Sequence, residues 1–102
     1  VTITNPLPGA RLPVAGFRVE GLQRGSFENN VVLQLRTSAD QVLQEIPVTS
    51  TGNPGEIGAW QIQLDPDDSL AGQTLKLYAY YTSARDGSEQ ANYWINITLT
   101  AN

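Results

Sequence analysis

The 102-residue chain contains no cysteine, no histidine and no methionine. Without cysteine there is neither a disulfide framework nor a thiolate metal site, so the fold stands without cross-links. The missing histidine removes the commonest general base and the commonest transition-metal ligand. No apolar run approaches the length of a membrane span, and no signal peptide precedes Val1, so no membrane insertion by this segment is expected. Six basic residues against ten acidic ones give a net charge of −4, and Arg11, Arg18, Arg24, Arg36, Lys76 and Arg85 are scattered. Nucleic-acid binders concentrate such residues into a stripe, so a nucleic-acid partner is excluded.

What remains is ordinary globular material. A hydrophobic share of 40% with 16% charge is the composition of a folded domain and not of a disordered chain. The length suits one domain, residues 1–102, able to bury roughly 65% of its unfolded surface. The chain starts in "VTIT" and ends in "TLTAN", both strand-like, so it reads as one module of a longer polypeptide, with any targeting signal outside it.

Period-two alternation dominates, and no stretch holds a helical apolar period for three turns. The pattern predicts strands at 1–4, 15–22, 30–37, 42–49, 59–64, 74–83 and 93–100. "NPLPG" after the first is expected to bar further pairing, "SADQ" to reverse the chain into a hairpin, and Asp86–Gly87 to form a turn. "DPDDSLAGQ" suits a single helical turn capped by Asp68. About seven short strands, each apolar on one parity, describe an all-β fold: two antiparallel sheets packed as a sandwich. The inner faces are expected to hold Val19, Leu33, Leu35, Trp60, Ile62, Leu75, Leu77, Ile95, Ile97 and Leu99. A small barrel is the competing architecture; the long first loop and the terminal strands favour the sandwich. Gly21 and Gly25 are read as tight or positive-φ positions.

In "TLKLYAYYTS" (residues 74–83), Leu75 and Leu77 alternate with Lys76, Tyr78 and Tyr80. If the leucines face the core, Lys76, Tyr78, Tyr80, Trp94, Asn96 and Thr98 share the outer face, with Val32, Gln34 and Arg36 beside them. Flat aromatics among amides and hydroxyls stack sugar rings or anchor protein partners. Cross-strand aromatic pairs also stabilise a solvated sheet, and that is the first reading here. The candidate interaction face is therefore Tyr78, Tyr80, Trp94, Arg36, Lys76 and Asn96.

Other constellations are weaker. Asp65, Asp67 and Asp68 would need Glu28 or Glu56 to hold calcium, and their spacing matches no EF-hand loop, so no cofactor or metal is expected. Asp86 with Glu89 is a carboxylate pair without a cleft-forming length of chain. No nucleophile–base pair is present, so catalysis is not expected. Asn96-Ile97-Thr98 fits the glycosylation pattern but lies in mid-strand. Phe27 is expected to plug one end of the sandwich, with Glu28 accepting backbone N–H bonds.

Residues 3–45, "ITNPLPGARLPVAGFRVEGLQRGSFENNVVLQLRTSADQVLQE", resemble the immunoglobulin-like domain of bacterial spore-germination and related envelope proteins. Pro6, Pro8 and Gly9, then Val19 and Gly21, Phe27 and Glu28, and Val42 and Leu43 occupy the family's places. "GEIGAW" and "YTSARDGSEQANYWINITL" are similar to its second half. Ala39-Asp40 departs from a hairpin turn where the family tends to place glycine. The cysteine pair and strand-C tryptophan of antibody domains are absent. The resemblance implies an extracytoplasmic module of a secreted or envelope-anchored bacterial protein, such as a lipoprotein, with no catalytic residues to carry over. Its partners would be neighbouring domains of the same chain or another envelope protein. Spacer and interaction domain is the leading function; a carbohydrate- or peptidoglycan-binding module is the alternative.

Overall fold

A computed structural model describes residues 1–26, 29–53 and 55–101. Eight strands follow one another: β1 (Thr2–Asn5), β2 (Arg11–Pro13), β3 (Phe17–Gln23), β4 (Asn30–Thr37), β5 (Val42–Thr49), β6 (Gly58–Leu64), β7 (Thr74–Thr82) and β8 (Glu89–Thr100). They form a three-stranded sheet, β1-β3-β6, and a five-stranded sheet, β2-β8-β7-β4-β5. Apolar residues of alternate parity from both sheets meet between them, as a two-layer sandwich requires.

Nine of the ten expected core residues lie in the central cluster, and Ile62 packs against its margin, partly buried. Ile3, Val14, Phe17, Val31, Val48, Leu64 and Ala79 complete it. Each fully buried aliphatic contributes roughly 1.5–3 kcal/mol. Gly21 is required by close approach: a Cβ there would lie 2.1 Å from the Thr2 carbonyl oxygen and 2.3 Å from the Trp60 ring. Gly25 has φ +89°, a conformation that favours glycine.

Two expectations are corrected. "NPLPG" does not end pairing, because β2 follows it and runs parallel to β8, with Arg11 opposite Thr98 and Pro13 opposite Thr100. Pro13 is tolerated since β2 is an edge strand, where one missing N–H breaks no central ladder. The two-sheet all-β sandwich is the expected one, its eight strands close to the about seven expected, and β2 on β8 is the one parallel pair among the antiparallel ladders of the described residues. The turn after β6 is a 3-10 turn, Asp68–Leu70, and its cap is Asp67, whose Oδ1 accepts the Ser69 N–H at 2.9 Å, rather than Asp68. That bond holds the Asp67 carboxyl below its ordinary pKa.

β8 starts at Glu89, four residues before the expected Tyr93. Between Ala79/Tyr81 on β7 and Tyr93/Gln90 on β8 the register shifts, and Ala91 takes φ +55° there. This is a β-bulge, and it is what lets the strand extend toward the turn. The turn itself is the expected one: Gly87 has φ +74° and donates its N–H to the Ser83 carbonyl at 2.9 Å. The positions read as a plug and its partner, Phe27 and Glu28, lie outside the described residues.

Candidate functional site

The outer face of the five-stranded sheet takes its layout from register. Val32, Gln34 and Arg36 on β4 stand opposite Tyr80, Tyr78 and Lys76 on β7. Lys76 and Tyr78 stand in turn opposite Asn96 and Trp94 on β8, and Gln34 opposite Glu45 on β5. The six candidate residues are therefore brought onto one surface.

They are not equally wet. Tyr78 is only 9% exposed, which corrects its reading as a solvent-facing tyrosine. The Arg36 guanidinium covers its ring at 3.7 Å from the centroid, and Tyr80 packs edge-on at 5.8 Å between centroids. Its hydroxyl donates to Glu89 Oε2 and accepts from Asn92 Nδ2, the latter at 2.8 Å. Burial, reinforced by the Glu89 bond, pushes the Tyr78 phenol up from its ordinary pKa; burial and the nearby Glu45 push Tyr80 up likewise.

A second layer of bonds ties the strands together. Arg36 Nε donates to Gln34 Oε1 at 2.7 Å, and Gln34 Nε2 donates to Glu45 Oε1 at 2.7 Å. Arg36 also lies 3.9 Å from both Asp40 and Glu89 carboxylate oxygens. Lys76 Nζ donates to Asp40 Oδ1 at 3.0 Å and sits 4.6 Å from the centroid of the Trp94 ring. Trp94 remains 47% exposed, and Asn96 is exposed beside it. Hence the face is a braced polar layer over a greasy sheet, with one aromatic left open to solvent.

Asp40 explains the departure at the hairpin. The reversal needs a positive φ, and Asp40 supplies it at +67° while its carboxylate receives Lys76. Aspartate tolerates this conformation better than most residues. A glycine would provide the turn but no anchor for Lys76.

The remaining sequence candidates separate. Asp86 accepts the Ser88 N–H at 2.9 Å in its exposed turn, and hydrogen bonding with the Ser88 side chain, then with this N–H, holds its carboxyl below the ordinary pKa. Glu89 instead reaches Tyr78, so the two carboxylates do not form a catalytic pair. Among the described residues no group of three or more acidic side chains is gathered for a metal, and Asp65, Asp67 and Glu56 do not converge. Glu28, the other calcium candidate, lies outside the described residues. Clefts of about 490, 480 and 360 Å³ lie away from the aromatic face.

Three participants were not singled out by sequence: Glu45, Asp40 and Asn92. Glu45 follows from the hairpin register, since the tight Ser38–Asp40 reversal sets it against Gln34. Asn92 has no such signal, because the bulge at Ala91 breaks the two-residue period just before it.

Residues 1–88 match the family model described as the immunoglobulin-like domain of bacterial spore germination. The chain belongs to this family. The match ends one residue before β8, so Trp94 and Asn96 lie outside it. No curated protein matches the chain.

Proposed function

We propose that this immunoglobulin-like domain is a non-catalytic, extracytoplasmic module of a bacterial envelope or secreted protein, serving as spacer and interaction domain. One observation carries the reading. On the face richest in functional groups, the acids, amides and cations are paired with one another across β5, β4, β7 and β8. Such a layer stiffens a sheet and offers a partner a fixed surface, and the Tyr78 phenol that meets Glu89 is buried beneath Arg36 instead of standing open to a substrate. Trp94 is the one ring of that layer with broad exposure, and it suits contact with a neighbouring domain or another envelope protein.

The glycan-binding alternative rests on the same Trp94 beside the exposed Asn96 amide. Against it, the Lys76 ammonium already sits over the indole ring where a sugar would stack. The interaction reading is therefore preferred.

Three measurements test the proposal, the first two in the full-length parent protein. Protease treatment of intact cells should cleave an epitope placed in the Asp86–Gly87 turn; protection of that epitope overturns the location. Replacing the module by an unrelated β-sandwich of similar 40 Å length should preserve the parent's reach but lose partner capture. Trp94→Ala should reproduce the capture defect alone. Turnover of cell-wall fragments by the isolated domain would overturn the non-catalytic reading.

A further inference from the structure

The three-stranded sheet ends in an edge unlike the others. β1 has four residues, β2 has three and contains Pro13, and β5 contains Pro47 and Glu45. Short length, proline and charge are the usual devices that keep an edge from pairing. β6 has none of them: "GAWQIQL" runs seven residues with neither proline nor charge.

Its hydrogen-bonding groups can be placed. The Ala59 carbonyl accepts the Thr51 N–H at 2.8 Å, and the Ala59 N–H donates to Thr51 Oγ1 at 3.3 Å. Ala59 therefore points its main chain away from β3. Alternation along an antiparallel strand makes Gln61 and Gln63 do the same. Both are exposed, and among the described residues no bond outside the ladder takes up their main-chain groups.

Beyond this edge the layers are unequal, three strands against five. The core-facing Ile46 on β5 and the bulged Leu43 are only partly buried, as is Ile62 on β6. At the end of β6 a cleft of about 480 Å³ opens between Leu43 and Leu70, with Asp65 and Asp67 on its rim. Gln44 also lines it, and its Oε1 is buried without a partner among the described residues.

We propose that the β6 edge takes an extended segment of another protein as a fourth strand, with a basic side chain of that segment seated in the Asp65/Asp67 cleft. The main chain of Gln61 and Gln63 supplies the pairing, and apolar side chains at alternate positions of the guest cover Ile46 and Ile62. A lysine suits the cleft because its stem lies on Leu43 and Leu70 while its ammonium meets the carboxylates. A single strand fits better than a second copy, whose own β5 would contest the same space. This surface lies on the sheet opposite the Trp94 face, so its fate is independent of the function proposed above.

The probe is the blocked hexapeptide Lys-Val-Thr-Val-Thr-Val, titrated into the labelled domain with amide shifts and exchange as readouts. Binding should slow exchange at Gln61 and Gln63. Gln63→Pro should weaken it at least about tenfold without lowering the unfolding temperature, since that N–H is not part of the β3 ladder. Should this variant unfold, the same peptide N-methylated at its valines makes the equivalent test from the guest's side. Asp65→Asn with Asp67→Asn should weaken the lysine peptide and leave a glutamine-headed one unchanged. No response at Gln61 and Gln63, shifts confined to the Trp94 face, or protection arising from self-association at this edge would overturn the proposal.

Discussion

The Arg36 guanidinium lies 3.7 Å above the centroid of the Tyr78 ring, on the outer face of the five-stranded sheet. With its side chain 16% exposed, Arg36 shields the ring from water while bonding Gln34. Arg36→Ala should cost about 2 kcal/mol, from the cation–π contact and a charge-assisted bond lost together. Arg36→Lys should recover little, because an ammonium cannot both stack flat and donate sideways. Urea unfolding of the two variants checks this; an Arg36→Ala change below about 0.5 kcal/mol would mean the lid is ornamental.

Tyr78 and Tyr80 titrate above the ordinary phenol value of 10.0, chiefly through burial. A folded-state pKa raised above the unfolded one gives stability that is complete below the unfolded value and lost as pH climbs through the folded one. Unfolding midpoints should therefore hold steady to about pH 9 and fall steeply beyond about pH 10. Tyr78→Phe should flatten that fall. Phenolate absorbance should show Tyr78 and Tyr80 titrating late.

Gly21→Ala should destabilise by about 3 kcal/mol, because the new methyl meets the Thr2 carbonyl and the Trp60 ring inside contact distance. Thermal unfolding and near-ultraviolet tryptophan signals provide the check, the second reporting displacement of Trp60.

Ala91 holds φ +55° in the bulge of β8. Ala91→Gly should stabilise by about 0.5–1 kcal/mol, since glycine adopts this conformation without a Cβ penalty. A loss of stability in calorimetry would show that the side chain is needed there.

The layered core was legible because Leu33, Leu35, Leu75, Leu77, Ile95 and Ile97 repeat at two-residue spacing, and nothing else satisfies that period. The grouping of Arg36, Lys76, Tyr78, Tyr80, Trp94 and Asn96 was legible for the same reason. Parity says which face a side chain takes, not what lies over it, so the burial of Tyr78 beneath Arg36 was out of reach. β2 was hidden by its three residues and Pro13, which carry too little alternation to register. The start of β8 was hidden by the bulge, where the period itself breaks.

The parallel seam of β2 on β8 has a mechanical consequence. Tension arriving at Arg11 from the amino side and at Thr100 from the carboxyl side pulls the two paired strands in opposite directions along their common axis. Their hydrogen bonds are then sheared together instead of unzipped singly, so once tension reaches β2 this seam yields as a unit.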